Sequence, residues 1–261
     1  MPFESLTKNK LKQFSLIHDK KFRQSSGTFL IEGLHLFEDF LKSKAEAEWI
    51  VIDSAFEETY PEIARILQKK FLAITYRVSQ RDFLKLSDTL HPQGILAAIR
   101  QPSVPQKIFG SDHEIIIALD RISDPGNLGT MIRCADWFGV KKIITSPSCV
   151  EAYNPKTVRA TMGSIFRVSL YQNIELRPLI DQARNARCKV CAADMEGGSL
   201  SELPRFDSVL LLIGSEAHGL TKDLITQSDV TVRIPKFGEG DSLNAAVACG
   251  IILHEIRAKQ A

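Results

Sequence analysis

The sequence predicts an α/β protein in two parts: a small N-terminal α/β/α domain and a larger α/β domain built on a parallel sheet. Three observations carry this. Apolar runs of strand length alternate with amphipathic helical stretches along the whole chain of 261 residues. In the second half those runs are continuously apolar, as in EIIIALD and VLLLIG, which suits strands covered by helices on both faces. Between the halves, the stretch RQPSVPQKIFGSDH holds two prolines, a glycine and no periodicity, the mark of a connection. The expected boundaries are 1–100, a linker at 101–113, and 114–261.

In the first block a helix is expected near Lys8–Phe14, followed by a strand in TFLIEG. LHLFEDFLKS places Leu34, Phe37, Leu41, Leu36 and Phe40 on one helical face. A strand in EWIVID, a helix opened by Pro61 in YPEIARILQKK and a strand in FLAITYRV come next. A short helix in RDFLKLSD and a strand in GILAAIR close the block. The second block offers strands in EIIIALD, KKIITS, FRVSLYQ, KVCAAD, VLLLIG and VTVRIP. Helices fall near Leu128–Phe138, Pro155–Met162, Leu176–Ala186, Leu220–Thr226 and Leu243–Ala258.

Composition narrows the function classes. With 44% apolar and 25% charged residues the chain has a globular composition, and no run reaches the length of a membrane span. The N-terminus lacks an apolar signal core, so the cytoplasm is the expected compartment. Five cysteines, an odd number, fit reduced thiols better than a disulfide framework. Cys188 and Cys191 form a CxxC within a strand, where residues three apart face opposite ways, so a core role is expected and no metal site. Net charge is only +2, yet residues 1–27 carry Lys8, Lys10, Lys12, Lys20, Lys21 and Arg23 against Glu4 and Asp19. Such an arm can track phosphates, or be a solvated helix face.

Open α/β sheets bind ligands at the carboxyl ends of their strands, and three loops there stand out. The first is DPGNLGTMIR, where Pro125-Gly126 makes a turn and Asn127 is placed to cap the helix. Arg133 falls opposite the apolar stripe of Leu128, Ile132 and Ala135, beside Asp136 as a surface alternative. The second is GSEAHG, in which Gly214 and Gly219 allow close backbone approach and Glu216 puts a carboxylate at a strand end. The third is IPKFGEGDSLN, with Ser242 as the expected helix cap and Asn244 in the first turn.

Together these segments resemble the SpoU (TrmH) family of RNA ribose 2′-O-methyltransferases, in the SPOUT class. The matching elements are Asn127, Gly129 and Arg133; Gly214, Glu216 and Gly219; and Ile234-Pro235 followed by Ser242-Leu243-Asn244. The first block, through FLIEGLHLFEDFL, resembles the ribosomal-protein-like substrate-binding domain that often precedes this catalytic domain. The resemblance implies a C-terminal segment threaded into a deep trefoil knot, an exception to the rule against knots. It implies S-adenosylmethionine held bent by backbone around Gly214, Ile234 and Leu243. Arg133 is then the main catalytic residue, with Asn127, Glu216, Ser242 and Asn244 ordering the site. The implied partners are RNA and a second copy bound through the C-terminal domain. Lys236-Phe237 departs from the family, which commonly has Met there.

The chemistry agrees with those residue types. A ribose hydroxyl must lose its proton as it attacks a sulfonium methyl in line. Arginine stays protonated, so Arg133 suits holding an RNA phosphate and stabilising charge developing on the oxygen. Ribosomal RNA is favoured by the two-domain layout, with transfer RNA as the alternative. A dehydrogenase would need a glycine fingerprint that residues 120–145 lack. A non-catalytic RNA-binding protein retaining the fold is the remaining alternative.

Overall fold

The computed structural model describes residues 2–110 and 113–260, so the end of the connecting stretch, residues 111 and 112, lies outside the described residues. The chain divides into two compact units, Met1–Pro102 with Tyr153–Phe166, and Ser103–Ala152 with Arg167–Ala261.

In the first unit, β1 (Glu4–Ser5), β2 (Thr28–Glu32), β3 (Ala47–Asp53), β4 (Thr75–Val78) and β5 (Ile95–Arg100) form a sheet in the order β1-β4-β3-β5-β2. The pairs β1–β4 and β4–β3 are parallel, whereas β5 runs antiparallel to β3 and β2. The helices are α1 (Lys8–Ser15), α2 (Lys20–Ser26), α3 (Leu34–Lys42), α4 (Phe56–Thr59), α5 (Pro61–Lys70) and α6 (Gln80–Phe83). Strand β1 is too short to show alternation, and α2 depends on its ends rather than on periodicity. Asp19 Oδ1 accepts from Phe22 N–H at 3.0 Å, and Gly27 at φ +64° stops the helix.

One face of this sheet is sealed by Phe14, Ile17, Leu30, Trp49, Phe83 and Leu96, with Phe14 stacked on Trp49 at 4.1 Å. Elsewhere in the unit Phe29 meets Tyr153 at 4.8 Å, and Phe166 lies 6.3 Å from both Phe29 and Phe40. Those aromatic contacts explain why Tyr153–Phe166 belongs to this unit although it comes late in the chain. Arg23, one cation of the basic arm, is buried and donates from Nη1 to the carbonyls of Ile17 and His18 at 2.8 Å each. Lys8, Lys12, Lys20 and Lys21 remain exposed.

The second unit holds β6 (Ile115–Asp120), β7 (Lys142–Thr145), β8 (Ser169–Tyr171), β9 (Lys189–Ser199), β10 (Val209–Gly214) and β11 (Val230–Arg233). Their order is β11-β9-β10-β6-β7-β8 and every pair is parallel. Its helices are α7 (Pro125–Trp137), then α9 (Leu176–Asn185), α10 (Lys222–Thr226) and α11 (Ala245–Gln260), with α8 (Pro155–Ala160) lying in the first unit's segment. Strands β6 and β10 are buried at every position, as continuously apolar central strands must be. Helix α7 buries Leu128, Met131, Ile132 and Ala135 and packs against α11; each large side chain so buried contributes about 2 kcal/mol. Ile108 and Phe109 of the connecting stretch are buried in this unit's core, so that stretch is anchored at its second half. No helix among the described residues is long and apolar enough to cross a membrane.

The cysteines are all free. Burial pushes the thiols of Cys188 and Cys191 up to about 12, and raises that of Cys249 as well. A thiol raised in this way stays neutral at pH 8, and only the thiolate reacts. Alkylation of the native protein at pH 8 is therefore expected to spare Cys188, Cys191 and Cys249, to reach the half-buried Cys149, and to reach Cys134, whose thiol burial also raises, more slowly. Mass spectrometry of protein labelled before and after unfolding checks this.

Candidate active site

The site begins at two adjacent strand ends. Gly214, the last residue of β10, sits opposite Asp120, the last residue of β6, so the loops that follow leave the sheet side by side. Pro125 opens α7, and Asp124 is its cap: Asp124 Oδ1 accepts from Asn127 N–H at 2.8 Å. This corrects the expectation that Asn127 caps the helix. Asp124 lies just before a first-turn proline and takes that role, which leaves the Asn127 amide free to reach outward.

That amide joins all three loops. Asn127 Nδ2 donates to Glu216 Oε1, and Asn127 Oδ1 accepts from Asn244 Nδ2 at 3.0 Å, across 117 positions of sequence. Asn244 is in turn the cap of α11, its Oδ1 accepting from the N–H groups of Ala246 at 2.9 Å and Val247 at 3.2 Å. Ser242 was the expected cap and does not fill that position. It is exposed, two residues upstream of the cap, and makes no side-chain hydrogen bond among the described residues. The helix therefore starts at Ala245 rather than Leu243.

The second loop is closed by glycine. A Cβ on Gly214 would lie 2.1 Å from the carbonyl carbon of Gly219 and 2.2 Å from its oxygen, so only glycine fits. Gly219 turns back at φ +60° and donates its N–H to Ser215 O at 2.8 Å. Glu216 is half-buried between these ends. Beside it, the Ser215 hydroxyl is buried and has no hydrogen-bond partner among the described residues. The third loop, residues 235–244, is exposed throughout, with Leu243 46% and Phe237 97% accessible and Ile234 half-buried.

Arg133 lies on the exposed side of α7 and has no side-chain hydrogen bond or ion pair among the described residues. Asp136, its expected surface neighbour, binds Arg167 Nε at 2.7 Å instead. Asn127, Glu216 and Asn244 thus form one bonded chain, whereas Arg133, Ser242, Gly214, Ile234 and Leu243 join it through no side-chain bond among the described residues. Two residues of the neighbourhood escaped the sequence reading. Asp124 could have been found from its place before Pro125, but Arg121, with its backbone at φ +57°, leaves no such signal.

A loop too tight for any side chain, an orphaned buried hydroxyl and exposed apolar residues on a long loop suit a bound group recognised through backbone and apolar contact. Residues 114–254 match the SpoU rRNA Methylase family, and residues 8–97 match the MRM3-like substrate binding domain. The chain is 31% identical to the 23S rRNA (guanosine(2553)-2′-O)-methyltransferase RlmP of Bacillus subtilis, over 97% of this chain and 98% of that protein. The AdoMet-bound rRNA methyltransferase of Sinorhizobium meliloti superposes with a TM-score of 0.87 at 31% identity, over 99% of this chain and 97% of that one. The SpoU methyltransferase AviRb of Streptomyces viridochromogenes, in complex with AdoMet, gives 0.84 at 25% identity, over 97% and 98%. The chain belongs to the SpoU rRNA methylase family.

Proposed function

We propose that the protein transfers the methyl group of S-adenosylmethionine to the ribose 2′-hydroxyl of a nucleotide in ribosomal RNA. The observation that carries the reading is the meeting of three distant loops on the Asn127 amide, which assembles Glu216 and Asn244 at the strand ends. The activity of the Bacillus relative on 23S rRNA supports the substrate, and the AdoMet in the Sinorhizobium structure supports the donor.

When bound, S-adenosylmethionine supplies an electrophilic sulfonium methyl. The backbone around Gly214, Ile234 and Leu243 would hold it, with the Ser215 hydroxyl as an unfilled hydrogen-bonding group beside Gly214. Arg133, unpaired among the described residues and exposed, is assigned to the RNA: its fork takes a phosphate and stabilises negative charge on the ribose oxygen as the proton leaves. Asn127, Glu216 and Asn244 order the loops, and Ser242 is assigned to the same ordering role by the family resemblance. The first unit, with the exposed Lys8, Lys12, Lys20 and Lys21, would hold a second part of the RNA by its phosphates. For the compartment we propose the cytoplasm. In domain terms, residues 1–100 bind RNA, 101–113 connect, and 114–261 catalyse.

The tail is proposed to thread as the family resemblance implies. In support, the chain leaves edge strand β11, two strands away from β10, and returns at Asn244 to the loop after β6. We also propose a homodimer. Trp137 is 85% exposed at the end of α7, and Val247 and Ile251 are 48% and 38% exposed on α11, which packs against it. An apolar surface of this kind on two packed helices is what a second copy would cover.

Arg133→Lys keeps the charge but loses the fork, so kcat for RNA methylation should fall about 10- to 100-fold while S-adenosylhomocysteine still binds in calorimetry. Methylation at the wild-type rate would remove the bidentate role. NAD should not bind in the same titration. Mapping ribose methylations in RNA from cells with and without the gene identifies the nucleotide; an unchanged map in ribosomal RNA sinks the substrate assignment. For the dimer, Trp137→Glu should sediment as a monomer at micromolar concentration where the wild type sediments as a dimer, and a monomeric wild type would contradict the assembly.

A further inference from the structure

Arg121 follows the last residue of β6 with its backbone at φ +57°, in the left-handed region that side chains other than Gly, Asn and Asp rarely adopt. Glycine would take this turn without strain, so the backbone alone gives no reason for arginine. The side chain does. Arg121 Nε donates to Asp120 Oδ2 at 3.0 Å and Nη2 donates to the Gly219 carbonyl at 3.1 Å. The Asp120 carboxylate is buried at the end of the sheet, opposite Gly214, and the Arg121 N–H is held by Ser146 Oγ at 3.0 Å. One edge of the guanidinium is thus tied to the rigid sheet and another to the last peptide of the Gly214–Gly219 loop. Among the described residues no other side chain from outside this loop bonds to its backbone.

The held carbonyl belongs to the peptide that packs over Gly214, and the N–H of the same residue, Gly219, bonds back to Ser215 O. Between those two ends the loop carries Glu216, the carboxylate that receives the Asn127 amide. We propose that Arg121 is a positioning residue for methyl transfer, a guanidinium clamp that keeps this loop closed so that Glu216 stays in reach of Asn127. The proposal rests on the methyltransferase reading, because that reading gives the loop its catalytic work. Lysine could not replace the clamp, since a point charge lacks the fork that serves a carboxylate and a carbonyl together.

Arg121→Gly separates the clamp from the fold, because glycine accepts the left-handed backbone and removes only the side chain. The probe is ribosomal RNA from a strain lacking the gene, with tritium followed from the methyl donor. The expected result is a kcat about tenfold lower, with the melting temperature held within about 3 °C and a smaller change in S-adenosylhomocysteine affinity. In a Glu216→Gln background the same substitution should cost less than about twofold, since both act through one loop. A wild-type kcat in Arg121→Gly overturns the clamp. So does a loss of activity that tracks a lower melting temperature, or a full tenfold cost in the Glu216→Gln background. Wild-type protein that incorporates no tritium overturns the methyltransferase reading and the clamp with it, whereas active wild type with an equally active Arg121→Gly overturns the clamp alone.

Discussion

The Asn127 side chain sets the polarity of the site. At one end of the chain of bonds, Asn244 Oδ1 must face the free N–H groups that open α11, so its Nδ2 points away as a donor. Asn127 Oδ1 accepts from that donor, which leaves Asn127 Nδ2 for the Glu216 carboxylate. Each amide is oriented by the one before it, and the sequence of donors ends on an acceptor that carries charge. A carboxylate accepts without offering a proton, so the chain runs one way only. A charge-assisted bond of this kind contributes about 1.5–3 kcal/mol, enough to fix the relative placement of loops that otherwise share little.

Everything that supplies these side chains follows from the parallel sheet. Parallel strands put their carboxyl ends on one edge, and Gly214 against Asp120 makes the two central strands finish together. Continuous burial of β6 and β10 makes that edge stiff, so the first residues of each loop start from fixed positions. Helix α7 adds the second level. Its apolar stripe seats it in the core, and Asp124 takes the capping work that would have engaged Asn127. The packing of α11 against α7 brings Asn244 to the same place. The linkage of Asn127, Glu216 and Asn244 is a consequence of how helix ends are satisfied.

The two units differ in how they are held. The first depends on interlocking aromatic rings, and these recruit Tyr153–Phe166 from the far side of the second unit's strands β6 and β7 in chain order. The second depends on aliphatic strands and on two anchored residues, Ile108 and Phe109, from a stretch whose composition reads as plain loop. Burial in that aliphatic core raises the Cys191 thiol, and at Cys188 desolvation outweighs the opposing charge of Lys142.

Alternation of apolar runs and helical stripes determined the α/β class, the parallel second sheet and nearly every element, because those patterns are local and each strand or helix must bury its own face. The three loop motifs were legible for the same reason: their residue types sit at fixed offsets from strand ends. Elements with no periodic signature were not legible, among them the two-residue β1, the end-stabilised α2 and the antiparallel course of β5. The capping roles went astray at Asn127 and Ser242 because several polar residues compete for a helix start, and only the folded chain shows which one has its side chain free to turn inward. The left-handed backbone of Arg121, the bond from Asn127 to Asn244 and the pairing of Gly214 with Asp120 were decided by tertiary structure alone. They join residues far apart in the chain, and local sequence carries no record of which distant groups will be neighbours.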